Sequence, residues 1–293
     1  MELLVSLSNP ENFKRILNAG VNGIIIGSLF SLDYDYSINE FVKLAQLIEE
    51  NGIKKYCMID QIISEDEIID LYQYIELVKA LDFDGIYFHD FAVYDIACDY
   101  GLRDKLIYEG STVLCNSLDA AFLLNKGING VLVSRELTLS EYEKILINNP
   151  NKIDMQVFGR FKMSYSKREF LSDYFKEINE EYDPNYKNTL MIQEELRDYQ
   201  MPIRQGRFGT VIYTDYVFEM YDELLDLSPY IKRAIISDVL INGDMLIKVI
   251  RDYKRLTKDN ISFLKETLIN NVPEGLLSKG YLYTATNKEK VDE

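Results

Sequence analysis

The chain has 293 residues, of which 47% are hydrophobic and 27% charged, a composition typical of a globular protein and not of a disordered segment. Its net charge of −16 opposes general binding to nucleic-acid backbones or anionic lipid. No apolar run is long enough to cross a bilayer, and the opening stretch MELLVSLSNPENF is too acidic for a secretion signal. The sequence therefore predicts a soluble, cytoplasmic protein without membrane contact.

Cysteine and histidine are scarce in this chain. The three cysteines are Cys57, Cys98 and Cys115, none in a Cys-x-x-Cys pair, and His89 is the single histidine. Dispersed cysteines in odd number argue against a disulfide framework or a zinc site of Cys and His ligands. We therefore expect reduced cysteines, no metal and no cofactor.

One unit recurs along the chain: a short apolar run, a helix start, an amphipathic stretch and a glycine. Runs that are apolar on both faces are typical of a parallel sheet covered by helices. The predicted strands are 3–7, 23–27, 55–59, 85–89, 105–109, 130–134 and 154–158, followed later by 210–214 and 233–237.

Helix signals lie between these runs. Asn9 before Pro10 predicts a cap and a first-turn proline. Capping boxes are predicted at three further helix starts, and glycines mark three helix ends. The boxes pair Ser37 with Glu40, Ser64 with Glu67 and Thr138 with Glu141, and the glycines are Gly52, Gly101 and Gly127.

Strands that alternate with helices at this pitch predict βαβ units with right-handed crossovers. The fold predicted first is an α/β parallel (β/α)8 TIM-type barrel with an insertion after the seventh strand. An open doubly wound sheet is the alternative. The predicted divisions are 1–159 and 210–260 for the barrel, 160–209 for the insertion, and 261–293 for a C-terminal helix and tail.

In a TIM-type barrel the reactive groups lie at the C-terminal ends of the strands. Those ends carry a ring of polar and charged residues: Asp60, Gln61, His89, Asp90, Glu109, Arg135, Glu136 and Arg160. Such a ring binds a small carboxylate or phosphate through Arg135 and Arg160, or it forms a network of internal ion pairs. His89 is a general base in one interpretation and a packed or capping residue in the other.

Residues 160–168, RFKMSYSKR, form what we call the basic segment, which holds four cations and no acid. The spacing of Arg160, Met163, Lys167 and Phe170 fits a solvated amphipathic helix. The functional alternative is an anion-facing surface that binds phosphate or the acidic face of a partner. The residues predicted to form that surface are Arg160, Lys162, Ser164, Ser166, Lys167 and Arg168.

This segment resembles the signature of peptidase family U32, in which a strand ends in His-Gly and runs into Cys-Met-Ser-x-Ser-x-Arg-Cys-x-x-Ser. Arg135-Glu136-Leu137 is similar to an Arg-Glu-Leu that follows an earlier strand in that family, and Asn116 matches the asparagine that follows the strand before it. The residues that match the signature are Gly159, Met163, Ser164, Ser166, Arg168, Leu171, Ser172 and Tyr174.

The chain departs from the family at the positions that carry its redox chemistry. Lys162 and Glu169 stand where the family has cysteines that hold an iron–sulfur cluster, and neither replacement supplies a thiolate. Phe158 replaces the histidine before Gly159, and Ser237, beside Asp238, replaces an acid of a later strand. We therefore expect a colourless, iron-free protein.

The length and the SKR-x-x-x-x-x-YF pattern at 166–175 resemble the short type of the family. That resemblance implies a role in making 5-hydroxyuridine at the tRNA wobble position, beside a longer family member as partner and with tRNA as a further contact. Whether this subunit is itself catalytic stays open. The alternatives are a collagenase-like hydrolase, for which no nucleophile is recognisable, and a barrel enzyme that binds a small carboxylate.

Overall fold

The computed structural model describes residues 1–183, 190–196 and 198–284. The first part of the chain alternates strictly between strand and helix, as the apolar runs and capping boxes predict. Its strands are β1 Glu2–Ser6, β2 Gly23–Gly27, β3 Lys54–Ile59, β4 Gly85–Phe88, β5 Leu106–Glu109, β6 Gly130–Leu132 and β7 Ile153–Gly159. The helices between them are α1 Phe13–Ala19, α2 Ile38–Glu50, α3 Ile68–Ala80, α4 Phe91–Asp99, α5 Ser117–Leu124 and α6 Leu139–Asn148.

The next part of the chain is a smaller antiparallel sheet with one helix. It contains β8 Lys162–Ser166, α7 Phe170–Glu177, β9 Met191–Gln193, β10 Gln200–Gly206 and β11 Gly209–Tyr213. The strand order within this sheet is β8-β11-β10-β9. We call it the insertion sheet.

The chain then returns to the barrel. It forms β12 Val217–Glu219, α8 Leu224–Leu227, β13 Ile231–Ile236, α9 Gly243–Lys254, α10 Ile261–Ile269 and β14 Leu277–Ser278. Strand β13 pairs in parallel with both β1 and β7, so that β1 to β7 and β13 close into an eight-stranded parallel barrel. The predicted TIM-type barrel is confirmed, and the run at 233–237 supplies its eighth strand.

The local signals for helix ends are also confirmed. All three predicted capping boxes are formed, and Asn9 caps a short 3₁₀ turn at Pro10–Asn12. Gly52, Gly101 and Gly127 follow helix ends with positive φ. These signals depend on contacts within four residues, which is why the sequence alone reveals them.

Three expectations from the sequence need correction. The run at 210–214 lies in the insertion sheet as β11 and not in the barrel, so the sheet extends past the predicted boundary at 209. The helical spacing at 160–170 is misleading as well, because Lys162–Ser166 is a strand that pairs antiparallel with β11. Beyond α10, β14 pairs with β12, where the sequence predicted only a polar tail.

The barrel interior is filled by side chains, including a buried ion pair near its N-terminal end. Arg233 on β13 donates to Asp154 on β7 over 2.9 Å, and Tyr87 on β4 donates to the same carboxylate over 2.7 Å. The Arg233 guanidinium also lies 5.5 Å from the ring centroid of Tyr56 on β3. Since all four side chains are buried, this network ties together strands from different sides of the barrel. The candidate site lies at the opposite end of the barrel, at the C-terminal ends of the strands.

Candidate functional site

The mouth of the barrel gathers most of the predicted strand-end residues. Each follows or ends a different strand, and the first of them was not predicted: Asp33 after β2, Asp60 after β3, His89 after β4, Glu109 at the end of β5, Arg135 after β6 and Arg160 after β7. Strand β8 of the insertion sheet crosses this mouth and brings Lys162 to it. The ring therefore contains both signs of charge in a largely buried setting.

Lys162 forms the centre of a buried charge cluster. Its Nζ lies 2.8 Å from Asp33 Oδ2 and also donates to Asp60 Oδ2. Burial disfavours the charged form of Lys162, but Asp33 and Asp60 outweigh that effect and raise its pKa. Tyr213 on β11 donates to the other oxygen of Asp33. These ion pairs and this hydrogen bond thus hold the insertion sheet against the barrel mouth.

The two carboxyl groups of this cluster differ from each other. Burial raises the pKa of Asp60, and Lys162 offsets that effect only in part. Burial would also raise the pKa of Asp33, but Lys162 and then Arg204 outweigh it, so the pKa of Asp33 is lowered. Asp60 Oδ1 accepts a hydrogen bond from Leu32 N over 2.9 Å, which joins the loops after β2 and β3.

A second chain of contacts runs around the mouth from β7 to β4. Gln156 Oε1 accepts from Arg135 Nε over 3.0 Å, and Arg135 Nη2 donates to Glu109 Oε1 over 2.6 Å. Burial opposes ionisation of Glu109, but Arg135 outweighs it and holds the pKa of Glu109 well below its usual range. His89 Nδ1 lies 2.8 Å from the Glu109 carbonyl oxygen and 3.7 Å from its Oε2.

His89 is therefore held by a carboxylate that stays ionised. The ionised Glu109 side chain raises the pKa of His89, burial lowers it, and the net direction is upward. Because a carbonyl oxygen only accepts, the Nδ1 atom of His89 carries a proton in both charge states. The neutral ring presents Nε2 as an acceptor, and the charged ring presents it as a donor.

A cavity of about 280 Å³ opens beside His89, between β8 and the loops after β3, β4 and β5. We call it the His89 groove. Its polar wall includes Asp60, Glu109 and Lys162, and hydroxyl groups come from Ser111, Thr112 and Ser164. Sequence reasoning predicted several of these residues but not the cavity they share.

Arg160 lies on the other side of the mouth and lines cavities of about 700 and 600 Å³. Its Nη1 donates to the Thr214 carbonyl oxygen over 2.6 Å, whereas its buried Nε has no hydrogen-bond partner among the described residues. Burial lowers the pKa of Arg160, and Asp215 opposes that shift only in part. Arg160 and Arg135 also line one small cavity of about 40 Å³ at the centre of the mouth.

Three other predicted residues have local roles. Asp90 caps α4 by accepting from Ala92 N over 2.8 Å, and Asn116 caps α5 through two backbone donors. Glu136 is exposed, next to Arg135. None of these three lines the His89 groove, so the structure separates them from the charge clusters of the mouth.

The basic segment is only partly available to a ligand. Lys162 is taken up by Asp33 and Asp60, and Lys167 donates to Ser64 and Glu67 of the capping box before α3. No acid lies within the basic segment itself, but in the folded chain acids from other segments pair with two of its cations. Arg168 is exposed, and Ser166 Oγ accepts from its backbone amide over 3.2 Å.

Sequence reasoning missed Asp33, Gln156 and Tyr213. The strand-end rule that found Asp60 would have found Asp33 too, had it been applied to the loop that follows the run at 23–27. Gln156 lies within a strand, and Tyr213 comes from the insertion sheet. No local pattern distinguishes either from a packing residue.

The iron–sulfur cluster implied by the family resemblance does not fit the residues present. Lys162 occupies one cysteine position and is committed to two carboxylates, while Glu169 at the other is exposed. Cys57 is buried on β3, Cys98 lies on α4, and Cys115 is exposed in the loop before α5. Clusters of this kind need converging thiolates, and these three are dispersed.

Two features are absent from the described part of the chain. No group of three or more His, Cys, Asp or Glu residues within 1–183, 190–196 and 198–284 is arranged to hold a metal ion. In the same residues, no helix combines the length and the apolar character that crossing a membrane requires.

Comparison with solved structures supports the fold. N-acetylneuraminate lyase from Mycoplasma synoviae is 13% identical, with a TM-score of 0.50, and the match covers 92% of this chain and 80% of that one. The U32 peptidase Mk0906 is 14% identical, with a TM-score of 0.48, over 81% of this chain and 92% of that one. At 13% identity, the likeness to the lyase shows the fold alone.

Sequence comparison is more specific. The chain is 25% identical over 260 residues to tRNA hydroxylation protein P2 of Bacillus subtilis (strain 168), covering 86% of this chain and 84% of that protein. The sequence profile of peptidase family U32 matches residues 8–291. That range holds seven of the eight barrel strands, the insertion sheet and the basic segment, and the chain therefore belongs to peptidase family U32.

Proposed function

We propose that this chain works in the hydroxylation of tRNA, at C5 of the wobble uridine, beside a longer member of its own family. The observation that carries the proposal is the similarity to tRNA hydroxylation protein P2 over most of both chains. The match to the family over residues 8–291 supports it. The name of the family points to peptidases, but among the described residues no contact at the barrel mouth favours peptide hydrolysis over this function.

The geometry of the mouth supports a role in holding substrate. The charged residues there are largely paired with one another, through Lys162 with Asp33 and Asp60 and through Arg135 with Glu109. Paired charges stay fixed in a buried setting and present a preorganised polar surface. The cluster-binding thiolates of the resemblance are replaced, so in this proposal the partner supplies the oxidation step.

The test is the nucleoside content of tRNA. Deletion of the gene in its native host should abolish 5-hydroxyuridine and nucleosides made from it, as measured by mass spectrometry of digested tRNA. Restoring the gene should restore the signal. An unchanged level in the deletion strain would overturn the proposal.

The partner is tested separately. A tagged copy of the chain, expressed at its native level, should retain a longer family member through purification and gel filtration. Recovery of tRNA hydroxylation by the purified chain alone, without that protein, would contradict the division of labour proposed here.

A second candidate function is binding of a small carboxylate, and Arg160 favours it. Its buried Nε lacks a hydrogen-bond partner in the described chain, and its side chain borders a cavity of about 700 Å³. Buried guanidinium groups with unused donors suit carboxylates. Titration calorimetry with succinate as probe should show binding that Arg160→Gln removes; binding unaffected by that change would exclude this site.

A further inference from the structure

The His89 groove differs from the other cavities in that a titratable ring lies against it with one nitrogen already engaged. His89 Nδ1 donates to the Glu109 carbonyl oxygen over 2.8 Å, which fixes the tautomer of the neutral ring. Nε2 makes no hydrogen bond to any residue of the described ranges. A half-buried ring nitrogen without a partner, beside a cavity of about 280 Å³, is available to a ligand.

The charges around the groove limit what that ligand is. The groups that face His89 are the carboxylates of Glu109 and Asp60, with Arg135 and Lys162 as their partners. Asp33 shares Lys162 and also faces Arg204, so each cation near the groove is already engaged by a carboxylate. An anionic ligand therefore finds no unpaired positive charge there and faces the carboxylates of Asp60 and Glu109. An uncharged polar ligand is not repelled by those carboxylates.

The rim of the groove is apolar and exposed. Ile62 after β3, Val113 after β5 and Met163 on β8 are 44%, 67% and 40% exposed, respectively. Apolar side chains around a polar wall suit a planar ring, whose faces contact the rim and whose edge reaches polar groups. His89, Ser111 and Thr112 supply hydrogen-bonding groups for such an edge.

We propose that the His89 groove binds an uncharged pyrimidine base that has been turned out of an RNA strand, with His89 Nε2 bonded to its polar edge. This inference rests on the proposed function and specifies the site at which the tRNA base is held. Enzymes that act on a base need it outside the stack, in a pocket that reads its edge. His89 is here a binding residue, and no covalent step is assigned to it.

The first experiment uses the fact that the chain has one histidine. In a sample purified without a histidine tag, the imidazole signals of the NMR spectrum belong to His89 alone. We expect these signals to shift when an RNA hairpin with a loop uridine is added. The same hairpin with an abasic site in place of that uridine should produce a much smaller shift.

The outcomes of this experiment are distinct. Equal shifts with both hairpins would mean that phosphate and not the base is sensed, which overturns the proposal. No shift with either hairpin overturns it too. A shift with succinate that exceeds the shift with the uridine hairpin would assign the groove to carboxylates instead.

The second experiment separates ligand contact from a structural role. The amide nitrogen of an asparagine can replace Nδ1 and keep the bond to the Glu109 carbonyl, whereas that of a glutamine reaches the position of Nε2. We expect His89→Asn to lower 5-hydroxyuridine in tRNA by about tenfold relative to His89→Gln, the effect of one hydrogen bond. Lys14→Gln, an exposed change on α1, is the control.

Which of the two variants retains more 5-hydroxyuridine shows whether His89 contacts the base or only supports the fold. If His89→Asn retains modification as well as or better than His89→Gln does, His89 acts through the Glu109 carbonyl and the proposed base site is wrong. The thermal stability of both variants, measured in parallel, shows whether a loss comes from unfolding. If deletion of the gene abolishes the nucleoside while both variants keep it, this inference fails and the proposed function stands.

Discussion

Lys162 stands at a position where the family signature that the basic segment resembles has a cysteine. In place of a thiolate, it puts an ammonium between two carboxylates that lie after neighbouring strands. Its side chain is 17% exposed, and those of Asp33 and Asp60 are 8% and 2% exposed. Lys162 thus forms internal ion pairs that hold the insertion sheet to the barrel mouth.

Removing Lys162 should be costly because it leaves two buried carboxylates without their cation. We expect Lys162→Met to lower the free energy of unfolding by about 3–5 kcal/mol, as for other broken buried pairs. Lys167→Met is the matched control, since Lys167 pairs with Glu67 at a more exposed site and should cost no more than about 1 kcal/mol. Urea denaturation measures both, and equal losses would contradict the assignment.

Asp238 provides a residue-scale prediction about pH. Burial raises its pKa from 3.8 to about 6, although Ser6 Oγ and Ser8 N donate hydrogen bonds to it. The folded state therefore binds a proton more tightly than the unfolded chain does. This contribution to stability is fully present below about pH 4 and is lost as the pH rises through about 6, and it amounts to about 3 kcal/mol.

Asp238→Asn should remove this dependence because the amide does not titrate. Between pH 8 and pH 4, the free energy of unfolding of the wild type should therefore rise relative to that of the variant. Urea denaturation at a series of pH values gives the unfolding free energy of each protein. Subtracting one from the other at each pH removes the contributions of groups that titrate alike in both. Parallel pH profiles for the two proteins would show that Asp238 keeps an ordinary pKa.

At the scale of elements, the sequence predicted what depends on neighbouring residues. The alternation of apolar runs and caps gave all eight barrel strands, because burial on both faces and helix capping leave local patterns. The placement of β8 was not predictable in this way. Its pairing partner, β11, lies more than forty residues away. In addition, the spacing of the cations around β8 fits a helix, so the sequence pattern did not indicate a strand.

The same limit applied to the candidate site. The strand-end rule found Asp60, His89, Glu109, Arg135 and Arg160 because it needs only the position of each strand. It did not find that Lys162 pairs with Asp60, since these residues are separated by 102 positions. Ion pairs of this kind follow from how the insertion sheet lies on the barrel, which no local pattern encodes.

Gly209 tests how the insertion sheet is held together. It begins β11 with φ of 122°, and a Cβ there would come within 2.0 Å of the Ser166 carbonyl oxygen on β8. Gly209→Ala should therefore open the β8–β11 pairing, seen as faster amide hydrogen exchange in both strands while β1 to β7 stay protected. Gly52→Ala, where nothing lies within 4 Å, should cost only about 1–2 kcal/mol and leave exchange in β8 unchanged.

At the scale of the whole molecule, charge governs how RNA can approach. The net charge is −16, yet nine basic residues balance nine acidic ones between Arg160 and Thr210. Residues 160–210 are thus the part of the chain that repels a phosphate backbone least. Within the basic segment, however, ion pairs already neutralise Lys162 and Lys167.

RNA binding by this chain should consequently show a shallow dependence on salt. With Arg160 and Arg168 as the contacts from the basic segment, the slope of log K against log salt should be about −1.4 to −1.8, against about −2.8 to −3.6 for four free cations. Arg168→Gln should flatten the slope by about 0.7–0.9, because Arg168 is exposed. Lys167→Gln should leave it unchanged, since Lys167 is held by Glu67.

Fluorescence anisotropy with a labelled uridine hairpin, repeated over a range of salt concentrations, measures these slopes. The pair of variants is informative because the two residues are adjacent and carry the same charge, while Lys167 is held by Glu67 and Arg168 is exposed. A slope that Lys167→Gln flattens as much as Arg168→Gln does would mean that RNA displaces Glu67 from Lys167. The capping box before α3 would then be part of the RNA-binding surface, and the ion pairs of the basic segment would not limit its contacts with phosphate.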